Sequence, residues 1–239
     1  QSHGAFADVV PAATAAGIRD GIKVLADAHP ALAGFVDPEV NALWLHDIDD
    51  EDAAAIHSLW QEHPVTDPEF RPHGYLLGNA YQALSEESRK HRALAQTPRY
   101  VTDLLLELAF RPAADEHGIG NLKMIDPSCG TGHILIEALI KGSAWSPPGR
   151  GGHISGGPNR AEHALRAVHG ADLDPYAALV ARLRLVVLAL CMLRANGQPS
   201  VGALPADWPI NVASADALLD RDEPLLKRGS YHVVVGNPP

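Results

Sequence analysis

From Thr97 onward the chain alternates short apolar segments with helix-length ones, and this alternation limits the fold more than any other feature of the sequence. "LKMID", "VHGADLD", "NVASAD" and "YHVVVGN" have the composition of strands, whereas "GHILIEALIK" and "PYAALVARLRLVVLALCML" are predicted helices. Strands separated by helix-length segments are joined by crossovers rather than hairpins, which requires a parallel sheet with helices on its faces. The expectation is an α/β domain built on a partial parallel sheet of about four strands. Between Gly142 and Ala161 the stretch "SAWSPPGRGGHISGGPNR" is rich in Gly and Pro and has no period, so a surface loop inserted in the domain is expected there.

Residues 1–95 read differently, as a helical N-terminal segment without strand alternation, and the domain proper is taken as residues 96–239. "AATAAGIRDGIKVLADAH" sets Ile18, Ile22 and Leu25 at helical spacing, with Pro30 closing the helix. "DIDDEDAAAIHSLWQEH" opens with acids that favour a helix N-terminus, and Pro64 ends it. A calcium loop is excluded there, because the turn glycine is missing and Ser58 stands where a bidentate Glu is needed. "YLLGNAYQALSEESRKHRALAQ" is a further predicted helix, with Arg89, Lys90 and Arg92 forming either a solvated face or a phosphate-contacting patch. Thr97 is a candidate N-cap with Pro98 at the first helical position, and Val101, Leu104, Leu105 and Leu108 are expected to line one face of the helix that follows.

Charge and cysteine usage narrow the function. A formal net charge of −10 is unsuited to a surface made for polyanions, so any nucleic-acid contact must be local or lie in another region. No apolar run approaches the roughly 20 residues a bilayer crossing needs, so no membrane partner is expected. Cys129 and Cys191 have neither metal nor disulfide spacing, as suits a reducing cytoplasm. The 13 histidines form no H-E-x-x-H pattern and no Cys/His cluster, so no metal is expected.

The chemistry is expected at "DPSCGTGH", residues 126–133, which follows a strand and opens a helix. Gly130 and Gly132 permit a tight turn and a close ligand approach, but neither the third glycine of a dinucleotide loop nor a G-K-[ST] is present. Such a loop suits a nucleoside ligand without a pyrophosphate; a purely structural turn is the alternative. Cys129 within it is expected to be packed rather than nucleophilic. Asp172 ends the second strand, where a doubly wound fold binds ribose hydroxyls. With residues 143–160 set aside, it follows Gly132 at about the 20-residue spacing of a compact unit. Asp174, in "DP", reads better as a helix cap. Asp216 ends the third strand, with two open readings: acceptor for an adenine amino group, or turn cap. Asp126, Asp172 and Asp216 thus mark three successive strand tips, along the crevice where ligands of open α/β sheets bind.

Taken together, these motifs resemble the S-adenosylmethionine-dependent DNA adenine-N6 methyltransferases of restriction-modification and phage-defence systems. "DPSCGTGHILIEAL" resembles their cofactor loop, "GADLDPYAALVARLRL" their ribose-binding strand, "VVVGNPP" their catalytic motif, and "QTPRYV" the extra cofactor-contacting motif ahead of the loop. The resemblance runs from about Tyr75 to Pro239 and implies a Rossmann-like methyltransferase fold, a partial doubly wound sheet of strand order 3-2-1-4. It implies cofactor contacts from Thr97, Asp126, Pro127, Cys129, Gly130, Gly132, Asp172, Leu173, Asp216 and Ala217. It implies a catalytic tip of Asn237, Pro238 and Pro239, where two carbonyls accept the N–H groups of a flipped adenine and rigid prolines hold them in place. In the family an aromatic residue follows the two prolines and another often follows the third-strand acid, where this chain has Ala217. His232 stands where the family usually has Asp and is expected to be a strand-start residue. The partner implied is double-stranded DNA, held by a target-recognition region not present here, with restriction or defence subunits possible. The chain is accordingly expected to be a fragment that is inactive alone. Guanine-N2 transfer on RNA, glutamine methylation on protein, and a non-catalytic cofactor-binding subunit are the alternatives. The "TP" helix directly ahead of the loop favours DNA.

Overall fold

A computed structural model describes residues 13–62, 81, 97–146, 158–195 and 204–238. The predicted helix 75–96 lies outside the described residues except for Tyr81, and so do Pro239 and much of the Gly/Pro-rich stretch.

The N-terminal segment begins with α1 (Ala15–Asp27), capped by Thr14 Oγ1, which accepts from Gly17 N at 3.1 Å. Pro30 does close this helix, but it also opens a 3₁₀ helix, Pro30–Val36, in which proline is tolerated at the first position. That short helix carries Leu32 and Phe35 into the main core, and Gly34 is pressed so close to Leu179 that a Cβ there would meet its Cδ1 at 3.3 Å. α2 (Asp50–Glu62) has Asp50, Glu51 and Asp52 in its first turn, and Asp49 Oδ1 accepts from Asp52 N at 2.8 Å. The acidic run is therefore a helix cap, its charges opposing the positive end of the helix dipole.

The helix after "TP" differs from expectation in two ways. α3 (Arg99–Leu105) begins one residue later than predicted, with Pro98 rather than Thr97 in the cap position, and Thr97 is buried. A π-helical turn, Leu106–Phe110, then joins it to α4 (Arg111–His117). Thr102, Leu106, Phe110 and Ala114 form the inward face, while Leu104 and Leu108, expected to line one face with Val101 and Leu105, stand 58% and 69% exposed. Apolarity alone does not separate Leu104 and Leu108 from Leu106 and Phe110 on one helix, and the packing partners chose the face that includes Thr102.

The sheet contains β1 (Met124–Asp126), β2 (Val168–Asp172), β3 (Asn211–Ser214) and β4 (Val233–Val234), all parallel, in the order 3-2-1-4. Every residue of β1 and β2 is buried, the pattern of central strands covered on both faces. The β1–β2 crossover holds two helices, α5 (His133–Ala144) and α6 (Pro158–Ala167), the second of which the Gly/Pro-rich reading did not anticipate. Its one-sided burial at Ala161, Ala164, Leu165 and Ala167 supplies the helical period that "RAEHALRA" carries.

α7 (Pro175–Ala195) runs beneath the sheet, with Ala177, Ala178, Leu179, Ala181, Leu185 and Val186 fully enclosed. Contrary to the sequence expectation about bilayer-length runs, Pro175–Arg194 is long and apolar enough to cross a membrane by length and composition. It is mostly buried inside the protein, and a largely buried helix is apolar on most of its faces for that reason.

Candidate functional site

The loop after β1 turns sharply because Gly130 and Gly132 adopt φ values of 53° and 86°, in the left-handed region. At Gly132 the turn also meets α7: a Cβ there would lie 3.0 Å from the Cβ of Ala181. Gly132 thus permits close packing of α5 on α7, the part a third glycine plays in dinucleotide loops. Cys129 N donates to Ala171 O at 2.9 Å, and its thiol lies over Gly170, where a Cβ would come within 3.0 Å of Sγ. Burial, with Asp126 and Asp172 nearby, pushes the thiol well above its ordinary range, so Cys129 is packed and protonated rather than nucleophilic.

Asp172, at the tip of β2, binds the loop directly. Its Oδ2 accepts from Gly130 N at 2.6 Å and its Oδ1 from Asp174 N at 2.9 Å. These two bonds orient the carboxylate at the head of the glycine loop. Asp174 caps α7, its Oδ1 accepting from Tyr176 N at 3.0 Å and Ala177 N at 3.3 Å, as the "DP" pattern suggested. Between the two acids Leu173 points outward, 60% exposed.

Asp126, at the tip of β1, is 2% exposed, and its Oδ1 accepts from Ser128 N at 3.1 Å. Burial pushes it up to about 7; the Ser128 N–H opposes the rise and the neighbouring Asp172 adds to it. β4 runs alongside, pairing Met124 with Val233 and Ile125 with Val234. It passes so close that a Cβ on Gly236 would stand 2.8 Å from Asp126 Oδ1, 3.3 Å from Ser128 Oγ and 3.5 Å from Pro127 Cδ. The Asn237–Pro238 tip therefore emerges beside the start of the glycine loop, and both residues are exposed.

Asp216 sits beyond β3, where its Oδ1 accepts from Leu218 N at 2.9 Å and Leu219 N at 3.1 Å. This is the turn-capping reading, and Ala217 beside it is exposed. The third tip is tied to the second by Ala215 N, which donates to Asp172 O at 2.9 Å. His232 is at the opposite end of β4, its Nδ1 accepting from Lys123 N at 3.1 Å, as a strand-start residue would.

Several site residues escaped the sequence reading. Ser128 Oγ is buried beside Gly236 and makes no hydrogen bond among the described residues. Arg184, 1% exposed, donates from Nη1 to Thr131 O at 2.6 Å and so anchors the glycine loop to α7. Burial, and then the Arg184 charge, hold His133 down at about 3, which keeps the first residue of α5 neutral. The available signal for Arg184 was a guanidinium flanked by leucines inside a largely apolar helix. Tyr81 reaches this corner too: its hydroxyl donates to Asp174 Oδ2.

A cradle with these parts suits a nucleoside carrying a charged tail. The Asp172 carboxylate stands at the strand tip beside the glycine loop, Leu173 offers an exposed apolar side chain, and Ser128 Oγ is without a hydrogen-bond partner among the described residues. Combined with a parallel sheet of order 3-2-1-4, this is the Rossmann-like arrangement of the methyltransferases, and the chain has that fold. Its similarity is to the adenine-specific methyltransferase PglX of Streptomyces coelicolor (strain ATCC BAA-471 / A3(2) / M145), 36% identical over 198 residues. Over that matched length the chain is similar to a protein described as an adenine-specific methyltransferase, the class its motifs resemble. The match covers 68% of this chain and only 16% of the relative, so the chain spans a small part of that protein. No family model and no solved structure matches the chain.

Proposed function

We propose that this chain provides the S-adenosylmethionine site and the catalytic tip of a DNA methyltransferase acting on the N6 amino group of a flipped adenine. The observation that carries the reading is the approach of Gly236 to Asp126, which sets Asn237 and Pro238 beside the candidate cofactor loop. Bound there, S-adenosylmethionine supplies an electrophilic methyl group on a sulfonium sulfur.

The residues of the chain do the rest. Asp172, at the tip of β2, orients the ribose by accepting from its hydroxyls, and Leu173 covers one face of the adenine ring. The Asn237 side-chain carbonyl and the Pro238 backbone carbonyl accept the two N–H groups of the target amine. That draws the nitrogen toward tetrahedral geometry and releases the lone pair otherwise delocalised into the purine. Pro238 and Pro239 hold the acceptors in position before the base arrives. The Asp216 carboxylate, fixed by its turn, is the candidate acceptor for the cofactor's own amino group. Thr97, at the start of α3, is proposed as a further cofactor contact.

The division at residues 95 and 96 is proposed as one of role: residues 1–95 support, and 96–239 carry the motifs. A net charge of −10 argues that DNA is recognised by a separate region, with restriction or defence subunits as candidate partners in the cytoplasm.

The test uses the full-length gene product with methyl-labelled S-adenosylmethionine and DNA, RNA and protein acceptors, followed by mass spectrometry of the digested products. The expected product is N6-methyladenine from DNA, lost in Asn237→Ala, where removing one such acceptor costs on the order of a hundredfold in kcat. Label in guanosine or glutamine would overturn the DNA assignment, and cofactor binding without any product would overturn catalysis.

A further inference from the structure

We propose that Tyr81 is a positioning residue that sets the ribose-binding carboxylate through a relay of hydrogen bonds. This rests on the reading of Asp172 as the ribose carboxylate. The relay is continuous across the described residues. The Tyr81 hydroxyl donates to Asp174 Oδ2, Asp174 N donates to Asp172 Oδ1 at 2.9 Å, and Gly130 N donates to Asp172 Oδ2 at 2.6 Å. Tyr81 lies 93 residues before Asp174, so the N-terminal segment reaches the cofactor corner only through tertiary contact.

The ring holds the hydroxyl in place. Tyr81 stacks on Tyr176 with centroids 5.6 Å apart and planes at 27°, and Tyr176 meets Phe35 edge-on at 6.4 Å and 83°. Phe35 is buried, and Tyr176 is the second residue of α7, directly after the Asp174 cap. The three rings therefore span from the Pro30–Val36 helix to the tip of β2. Asp174 has two tasks that pull on one carboxylate: Oδ1 caps the α7 N-terminus, and Oδ2 takes the phenol. With both oxygens engaged, the carboxyl plane is fixed, and so is the backbone N–H that it presents to Asp172. Loss of the hydroxyl removes one bond from Oδ2 and loosens the backbone N–H that Asp174 presents to Asp172 Oδ1.

This assigns the N-terminal segment a function that its sequence did not suggest. It supports the affinity of the cofactor site without touching cofactor.

The experiment measures S-adenosylhomocysteine binding by calorimetry to the full-length protein, with Tyr81→Phe, Asp172→Asn and the double variant alongside wild type. Tyr81→Phe keeps the ring stack and removes only the hydroxyl. Its affinity is expected to fall roughly tenfold, the order of one hydrogen bond to a charged group. Its ligand-free Tm should stay within a few degrees of wild type, and KM for S-adenosylmethionine should rise with little change in kcat. In the double variant the loss should be no greater than in Asp172→Asn alone, because Tyr81 acts through that carboxylate. Wild type that binds normally together with an unaffected Tyr81→Phe would overturn the role of Tyr81 and leave the cofactor site standing. Losses that add in the double variant would also overturn it. Wild type that does not bind would remove the cofactor reading itself, and the inference with it.

Discussion

Gly236 and Asp126 approach each other so closely that the one has no room for a side chain: a Cβ would stand 2.8 Å from the carboxyl oxygen. Two segments 110 residues apart in the chain meet there without an intervening side chain. Gly236→Ala is expected to push the Asn237–Pro238 tip away from the glycine loop. Displacements near 1 Å at a reacting centre cost up to about a hundredfold. Methyl transfer should therefore drop by at least about tenfold while cofactor affinity, measured by calorimetry, stays near wild type.

Asp126 also ties stability to pH. Its pKa is raised to about 7, so between the ordinary carboxylate range and pH 7 the folded state holds a proton that the unfolded state has lost. Stability from this group is present at acid pH, declines as pH rises through that window, and stays low above it. Asp126→Asn keeps an acceptor for Ser128 N and removes the buried charge. Thermal denaturation of the ligand-free protein should show this variant more stable above pH 7, by up to about 4 kcal/mol, with the advantage vanishing near pH 4. It should also bind S-adenosylmethionine poorly if Asp126 faces the cofactor's ammonium group.

Gly132→Ala combines two penalties, a left-handed φ of 86° and a Cβ contact of 3.0 Å with Ala181. The conformational part alone costs about 1 kcal/mol. The crowding against α7 adds to it, so a total near 2–3 kcal/mol is expected, lowering Tm by roughly 5–10 °C for a domain of this size.

Leu173→Ala should behave in the opposite way. The side chain is 60% exposed in the folded chain, so its removal should leave Tm unchanged. If it covers the adenine ring, S-adenosylhomocysteine affinity should fall about tenfold, the order of burying one leucine on binding. Equal affinity in the two proteins would remove Leu173 from the site.

Much of this architecture was legible before any coordinates. The parallel sheet follows from alternating strand and helix lengths, and "DPSCGTGH" and "GADLDP" locate the loop and the acid that β1 and β2 bring together. The cap roles of Asp174 and of the acidic start of α2 were also readable, because capping depends on side chains two or three residues from the groups they bind. The errors share a physical origin. The inward face of α3 was not legible because Leu104 and Leu108 are as apolar as Leu106 and Phe110, and packing selected the latter pair. Helix α6 was overlooked because proline and glycine dominate the stretch before it. The bilayer-length run in α7 is hidden in the sequence because Arg182 and the buried Arg184 interrupt it.

The sequence by itself determined local conformation and the order of chemical groups along the chain: where the backbone can turn left-handed, which carboxylates end strands, and where an amide is followed by rigid prolines. Only the tertiary structure decided which of these groups meet. Arg184 anchors Thr131, Gly236 clears Asp126, and Tyr81 reaches Asp174 across separations of 53, 110 and 93 residues. Hydrogen bonding and steric exclusion act over a few ångströms in space, and at such separations the distance along the chain does not specify the distance in the fold.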